Sequence, residues 1–166
     1  MGLLENKIAI ITGGGRGIGK AIAHRYSEEG ATVIIAEFDE QSGQETADSM
    51  GGYFVKADIS DEESVTSLFE YVKTKFDRLN ILVNNAGVLQ DSTLKKMESD
   101  QFDAVINVNL RGPSLCGKAA ANIMIEQGSG VILNAASVVA HNGNFGQTNY
   151  VASKTGVIGM TKVWAR

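Results

Sequence analysis

A glycine-rich loop between two apolar runs restricts the fold more than any other feature of this sequence. Residues 7–12 are mostly apolar and β-branched, as in a strand buried on both faces. Five glycines fall within residues 13–19, and residues 20–29 then have helical character until Gly30. A second apolar run occupies residues 31–36. This order predicts a β-α-β unit with a right-handed crossover.

The strand–helix alternation continues along the whole chain. Ile18 begins the apolar stripe of the first helix, and Ser60 with Glu63 predicts a capping box at the start of a later one. A long helical stretch is expected to be interrupted near Gly112-Pro113. Such alternation predicts an α/β protein with a doubly wound parallel sheet. The further helices are predicted at 41–50, 60–76, 100–127 and from 150 onward, and the further strands at 53–57, 79–83 and 130–134.

Composition narrows the class of protein. With 166 residues, 43% hydrophobic and 20% charged, the chain suits one soluble globular domain over residues 1–166. The net charge of −4 and the lack of a basic patch argue against a nucleic-acid partner. No apolar run is long enough for a membrane span, and the first residues predict no signal peptide. The single Cys116 suits a reducing cytoplasm, and no cluster of metal ligands is predicted.

The end of the chain carries its own expectation. The sequence stops at residues 164–166, within a predicted helix that has no stop signal. Strand 130–134 reads as buried and yet would form the edge of the sheet. We therefore expect C-terminal strands to be missing, and the chain to be truncated from a longer polypeptide.

The glycine loop has the chemistry of a pyrophosphate site. Backbone N–H groups and the helix dipole favour an anion at a helix N-terminus, and glycine allows close approach. Gly13, Gly17 and Gly19 give the spacing G-x-x-x-G-x-G, which differs from the common dinucleotide fingerprint and from a phosphate-binding P-loop. A tight turn between strand and helix is the alternative interpretation.

Two charged residues give opposite indications of the cofactor. Glu37 ends the second predicted strand, where a carboxylate can accept hydrogen bonds from the adenine ribose and repel a 2′-phosphate. This favours NAD. Arg16 in the glycine loop favours NADP, because a guanidinium can pair with that phosphate. An exposed, unengaged charge is the alternative for Arg16.

Tyr150 and Lys154 are four residues apart in the last predicted helix. That spacing places both side chains on one helix face, with the ammonium beside the phenol. A nearby cation favours the phenolate, so this tyrosine suits proton exchange with an alcohol or carbonyl. By itself the pair also fits a packed Tyr beside a solvated Lys.

Taken together, these motifs resemble the short-chain dehydrogenase/reductase family. The resemblance runs from residue 7 to the end of the chain and implies a Rossmann fold and an NAD(P)-dependent oxidoreductase that transfers a hydride between nicotinamide and a ketone or secondary alcohol. The residues that carry it are Thr12-Gly13-Gly14-Gly15-Arg16-Gly17-Ile18-Gly19, Asn84-Asn85-Ala86-Gly87, Asn109, Ser137, Tyr150 and Lys154.

The resemblance also implies roles for individual residues. Asn109, Ser137, Tyr150 and Lys154 match the catalytic tetrad. In it, Tyr150 is the general acid or base, Lys154 assists it and binds the nicotinamide ribose, Ser137 orients the substrate oxygen, and Asn109 holds a water linked to Lys154. Asp58 would hold the adenine amino group. The implied cofactor-binding residues are Gly13, Arg16, Gly17, Ile18, Gly19, Glu37, Asp58, Ile59, Asn85, Ala86, Gly87, Tyr150 and Lys154.

Residues 142–162 look most like bacterial 3-oxoacyl-[acyl-carrier-protein] reductases. That subgroup implies reduction of a 3-oxoacyl thioester in a homotetramer or dimer. Its members generally favour NADPH, so Glu37 departs from the pattern. Three alternatives remain: a sugar or small-alcohol dehydrogenase of the same family, a truncated product, and a non-catalytic dinucleotide-binding module.

Overall fold

A computed structural model describes residues 2–166 and shows a five-stranded, fully parallel sheet. The strands are β1 (Ile8–Thr12), β2 (Thr32–Glu37), β3 (Tyr53–Lys56), β4 (Ile81–Asn84) and β5 (Val131–Asn134). Their spatial order is β3-β2-β1-β4-β5, so the winding direction reverses between β1 and β4. Ile10 on the central strand pairs with Ile34 on one side and with Leu82 on the other. The predicted doubly wound Rossmann-type fold is confirmed.

Helices cover both faces of the sheet, and each face has its own core. The helices are α1 (Gly17–Glu28), α2 (Glu40–Met50), α3 (Glu62–Phe76), α4 (Ser99–Ile106), a π-helix (Asn107–Arg111), α5 (Gly112–Glu126), α6 (Val139–Asn142) and α7 (Thr148–Trp164). Ile10 and Leu82 pack with residues of α3 and α5, while Ile11 packs on the other face with residues of α1 and α2. Successive strand residues point to opposite faces, and both faces are covered, which is why these strands are continuous apolar runs.

Helix α3 begins later than predicted. Its N-cap is Asp61, whose carboxylate accepts a hydrogen bond from the Ser64 N–H, so the predicted capping box of Ser60 and Glu63 is wrong. The Ser60 hydroxyl instead donates to Asp58 Oδ1 over 2.6 Å. A carboxylate is as good a cap as a hydroxyl, and here the hydroxyl already has a stronger, charge-assisted partner.

The long helical stretch is irregular directly before the predicted position. The π-helix occupies Asn107–Arg111, and α5 follows it directly with Pro113 in its first turn. Proline is accepted in a first helical turn because its missing N–H is not needed there. The predicted interruption at Gly112-Pro113 is therefore a wider turn just before these residues.

Strand β5 lies at the edge of the sheet, and its side chains are half exposed. Val131 is 51% and Leu133 43% exposed, in contrast to the predicted burial, because β5 has one neighbour and an uncovered face. Ile18 is 75% exposed at the start of α1 and is not part of the apolar stripe. The four-residue helix α6 had no sequence signal. None of the helices within residues 2–166 is long and apolar enough to cross a membrane.

Candidate active site

A cleft of about 470 Å³ opens at the carboxyl ends of the strands, where the winding direction of the sheet reverses. This is the place where open α/β sheets bind ligands. Gly17, Tyr150 and Lys154 are not among its lining residues. The predicted cofactor residues that line it are Gly13, Arg16, Ile18, Gly19, Glu37, Asp58, Ile59, Asn85, Ala86 and Gly87.

The glycine loop is shaped by close backbone packing. A Cβ atom on Gly19 would lie 2.2 Å from the Gly13 carbonyl oxygen, and one on Gly13 would lie 2.7 Å from Ala86 Cα. Gly17 differs, because it has a φ of +55° and no heavy atom within 4 Å of its Cβ direction. Open space at the N-terminus of α1 fits an anion such as a pyrophosphate. The loop therefore fits a dinucleotide.

Thr12 and Asn85 brace this loop against the turn after β4. The Thr12 hydroxyl accepts the N–H groups of Asn85 and Ala86 over 3.0 and 3.1 Å. The Asn85 amide donates to the carbonyl oxygens of Thr12 and Gly13, both over 3.1 Å. Thr12 was not predicted as a site residue, although its position before the first glycine was a usable signal. Its hydroxyl joins two walls of the cleft.

Glu37 lies at the end of β2 and is 7% exposed. Its Oε2 accepts the Gly15 N–H over 3.1 Å, and its Oε1 accepts the N–H groups of Phe38 and Asp39 over 2.9 and 3.2 Å. A carboxylate has about four acceptor positions, so about one remains for a ligand hydroxyl. The sequence did not reveal this second task of Glu37, which is to order the glycine loop.

Arg16 is exposed beside the same strand end. Hydrogen bonds from Ser42 lower the pKa of Asp39, and the positive charge of Arg16 adds a smaller lowering. The guanidinium is therefore close enough to the β2–α2 turn to influence charge there. This position suits contact with an adenosine phosphate.

Asn109 sits in the π-helix and is fully buried. Its Oδ1 accepts the Val88 N–H over 2.8 Å, and its Nδ2 donates to the Val88 carbonyl over 2.9 Å. The side chain thus makes the pair of hydrogen bonds to the Val88 backbone that a neighbouring β-strand would make, and Val88 lines the cleft. Both ends of its amide are engaged with Val88. The expected role in holding a water stays a prediction.

Lys154 and Tyr150 lie together on α7. Lys154 Nζ is 5.7 Å from the centre of the Tyr150 ring and donates to the Ala135 carbonyl over 2.7 Å. Burial lowers the pKa of Lys154 because it disfavours the ammonium form. Ser137 follows β5 by three residues, and its Oγ accepts the Val139 N–H over 3.4 Å. The arrangement places a cation against the face of the phenol.

Asn149 is a further positioning residue that sequence reasoning missed. It is fully buried, and its Nδ2 donates to the carbonyls of Gln90 and Gln101 over 3.0 and 3.2 Å. Its Oδ1 accepts the Tyr150 N–H over 2.8 Å. The start of α7 is thereby tied to the loop after β4 and to α4. No local pattern announced this role, because both carbonyl partners come from distant parts of the chain.

Across residues 2–166, no group of three or more His, Cys, Asp or Glu side chains has the arrangement of a metal site. Cys116 is fully buried in α5, and burial raises its pKa to about 12. The thiol therefore stays protonated near neutral pH, as expected for a residue that serves packing.

Comparison with known proteins identifies the family. The sequence profile described as short chain dehydrogenase matches residues 7–166. The chain belongs to the short-chain dehydrogenase/reductase family. It is accordingly an NAD(P)-dependent oxidoreductase.

Individual relatives within the family are similar over almost the whole chain. A 3-oxoacyl-[acyl-carrier-protein] reductase of Thermotoga maritima is 42% identical over 98% of this chain and 68% of its own length. A human (3R)-3-hydroxyacyl-CoA dehydrogenase is 41% identical with the same coverage. A 3-oxoacyl-[acyl-carrier-protein] reductase of Vibrio harveyi is 41% identical over 98% of the chain. The expected resemblance to bacterial 3-oxoacyl reductases is confirmed.

Proposed function

We propose that the enzyme interconverts a 3-oxoacyl thioester and its 3-hydroxy form, with residues 1–166 acting as one dinucleotide-binding domain. The observation that carries the proposal is the location of Tyr150 and Lys154 on α7, tied through Asn149 to the loop after β4. That loop lines the cleft at Val88. The names of the relatives described above support the choice of thioester.

The chain's own residues supply the proton chemistry. In reduction, the Tyr150 hydroxyl gives its proton to the substrate carbonyl oxygen, and the Ser137 hydroxyl donates a hydrogen bond to the same oxygen. The Lys154 ammonium stabilises the phenolate left behind. Asn109 fixes the backbone at Val88 and so keeps the cleft wall in place. A bound nicotinamide dinucleotide supplies or takes up the hydride.

The proton-donor role is tested with Tyr150→Phe and acetoacetyl-CoA as substrate. We expect the rate to fall by about 10²–10⁴-fold, the usual contribution of a positioned general acid. The dissociation constant for NADH should stay within twofold to threefold, roughly, since one hydroxyl is lost. The matched control is Tyr71→Phe, a half-buried tyrosine on α3.

Nicotinamide absorbance measures turnover, and calorimetry measures binding. A Tyr150→Phe enzyme as active as the Tyr71→Phe control would refute the mechanism. Binding of NADH by the unmodified chain without turnover of any thioester, sugar or small alcohol would favour a non-catalytic module.

We propose NAD as the preferred cofactor, with NADP as the alternative. The support is the fixed carboxylate of Glu37 in the cleft, because a 2′-phosphate there would face an immobilised negative charge. Dissociation constants for NADH and NADPH should favour NADH by about tenfold or more. Glu37→Gln should narrow that ratio. Glu45→Gln makes the same change on an exposed residue of α2 that does not line the cleft and should leave the ratio unchanged.

An unmodified enzyme that binds NADPH at least as tightly as NADH would overturn this assignment. It would instead give Arg16 the decisive role. Because both ratios are measured by binding, the result is independent of the substrate.

We also propose that the enzyme works in the cytoplasm as a homo-oligomer, a tetramer or dimer. Within the segments 119–125 of α5 and 157–160 of α7, Ile123 and Val157 are buried inside the protomer. Ile125, by contrast, is 78% exposed and suits a contact between subunits. Sedimentation velocity tests this, and a monomer at micromolar concentration would contradict it.

A further inference from the structure

The π-helix forms a shared wall for two parts of the cleft. Val108 lines the cleft, and Asn109 holds Val88. Arg111, at the other end of the π-helix, reaches the loop that follows β3. Wide turns of this kind are rare and occur mostly at functional sites. The five residues therefore connect the loop after β4 with the loop after β3.

Arg111 holds the second of these loops through hydrogen bonds. Its Nη1 donates to the Ser60 carbonyl over 2.6 Å, and its Nη2 is 4.0 Å from Glu62 Oε2. Ser60 in turn gives both its N–H and its hydroxyl to Asp58 Oδ1, over 2.9 and 2.6 Å. One guanidinium thus secures the turn that presents Asp58 to the cleft.

The same junction is closely packed. A Cβ atom on Gly112 would lie 2.7 Å from Ile59 Cδ1 and 3.1 Å from the Ile59 carbonyl oxygen. The first residue of α5 therefore touches the loop directly, and Ile59 is 5% exposed. Packing of Ile59 against Gly112 sets how closely the loop after β3 approaches α5, while Arg111 holds the backbone of that loop in place.

We propose that Arg111 is a positioning residue for the adenine end of the dinucleotide. It keeps the Asp58–Ser60 loop in the conformation that receives the adenine, and it has no contact with Tyr150 or Lys154 among its hydrogen bonds and ion pairs. The inference rests on the proposed cofactor role of Asp58. It predicts that removing the guanidinium weakens binding of the adenine half of the cofactor and leaves the nicotinamide half unaffected.

The experiment measures equilibrium binding of three probes to the whole chain: NADH, 5′-AMP, and reduced nicotinamide mononucleotide. The variants are Arg111→Ala and Arg111→Lys. Arg78→Ala is the control, because it removes the same charge from an exposed residue that precedes the amino end of β4, whereas the cleft lies at the carboxyl ends of the strands. The midpoint of thermal unfolding is recorded for each variant.

Arg111→Ala should raise the dissociation constants of 5′-AMP and NADH by about five- to tenfold, since a charge-assisted but half-exposed hydrogen bond is lost. The mononucleotide should bind as in the unmodified enzyme, and kcat with saturating NADH should not change. Arg111→Lys retains one cation able to reach the Ser60 carbonyl and should recover part of the affinity. A general loss of structure would weaken the binding of all three probes together.

Two results would overturn the inference. One is an Arg111→Ala variant that binds 5′-AMP as tightly as Arg78→Ala does. The other is an equal loss for 5′-AMP and the mononucleotide. If Arg111→Ala does not fold, Arg111→Lys decides: a loss of 5′-AMP affinity with unchanged binding of the mononucleotide supports the proposal, and unchanged 5′-AMP binding or an equal loss of both fragments refutes it. If the unmodified chain binds neither NADH nor 5′-AMP, the proposed cofactor function itself fails.

Discussion

Replacing Asn109 with aspartate tests the account of this side chain as a two-way clamp on Val88. The substitution hardly changes shape, but it replaces the Nδ2 donor, now 2.9 Å from the Val88 carbonyl, with an oxygen. When ionised, that oxygen faces another oxygen inside a fully buried site. We expect the free energy of unfolding to fall by about 3 kcal/mol at pH 8, the cost of an unsatisfied buried group that is charged.

The loss should depend on pH with a definite sign. A protonated carboxyl can donate to the Val88 carbonyl and accept the Val88 N–H, as the amide does now. A penalty of about 3 kcal/mol on ionisation raises the folded-state pKa by about 2 units, from about 3.9 to about 6. Between those values the folded chain holds the proton and the unfolded chain does not. Relative stability therefore falls by about 1.4 kcal/mol per pH unit as pH rises, and then levels off.

Urea unfolding followed by far-ultraviolet circular dichroism measures this at pH 4.5, 6 and 8. The control is Asn107→Asp, the same substitution on an exposed residue of the same π-helix, which should change stability by less than about 0.5 kcal/mol at any pH. If Asn109→Asp is as stable as Asn107→Asp at pH 8, the Val88 clamp is not an energetic feature of the fold. A difference that grows as pH falls would refute the reasoning about the proton.

The remaining predictions concern two titratable side chains. Cys116, with its pKa raised to about 12, should react with iodoacetamide at pH 8 only in urea that unfolds the chain; rapid labelling of the native protein would contradict its burial. Lys154, with its pKa lowered by burial, should lose its ammonium as pH rises at a lower pH than a free lysine, whose pKa is about 10.4. The alkaline fall in kcat/KM should therefore begin at a pH below the pKa of a free lysine, and in Lys154→Arg it should shift to higher pH. If an active Lys154→Arg enzyme shows the fall at the same pH as the unmodified enzyme, the fall belongs to another group.

The sheet was predictable because its strands are buried on both faces. A parallel strand between two layers of helices needs apolar residues along its length, and Ile8–Ile11 shows that pattern without interruption. Glycines between the apolar runs then marked where a strand ends and where a helix ends. Strand β5 misled the same reasoning, since Val131 and Leu133 are apolar but half exposed.

Other features depend on contacts that no local pattern records. Asp61 is the N-cap of α3 because the Ser60 hydroxyl is hydrogen-bonded to Asp58. Asn149 finds its backbone partners 48 and 59 residues away. The π-helix likewise had no propensity signal; it is identified by its hydrogen bonds and by the neighbours that Asn109 acquires.

The candidate site itself was more predictable than these details, for a topological reason. In a parallel sheet all carboxyl ends lie at one edge, so a residue just after any strand is already placed near the cleft. The charge and shape of the cleft then depend on the hydrogen bonds that those residues make with neighbouring loops and helices. Glu37 could be located from the sequence, but its three backbone partners could not, and they limit its free acceptor positions to about one. Strand order thus determines where the site residues lie, while contacts from neighbouring elements, such as those of Asn109 and Arg111, determine how rigidly the loops of the cleft are held.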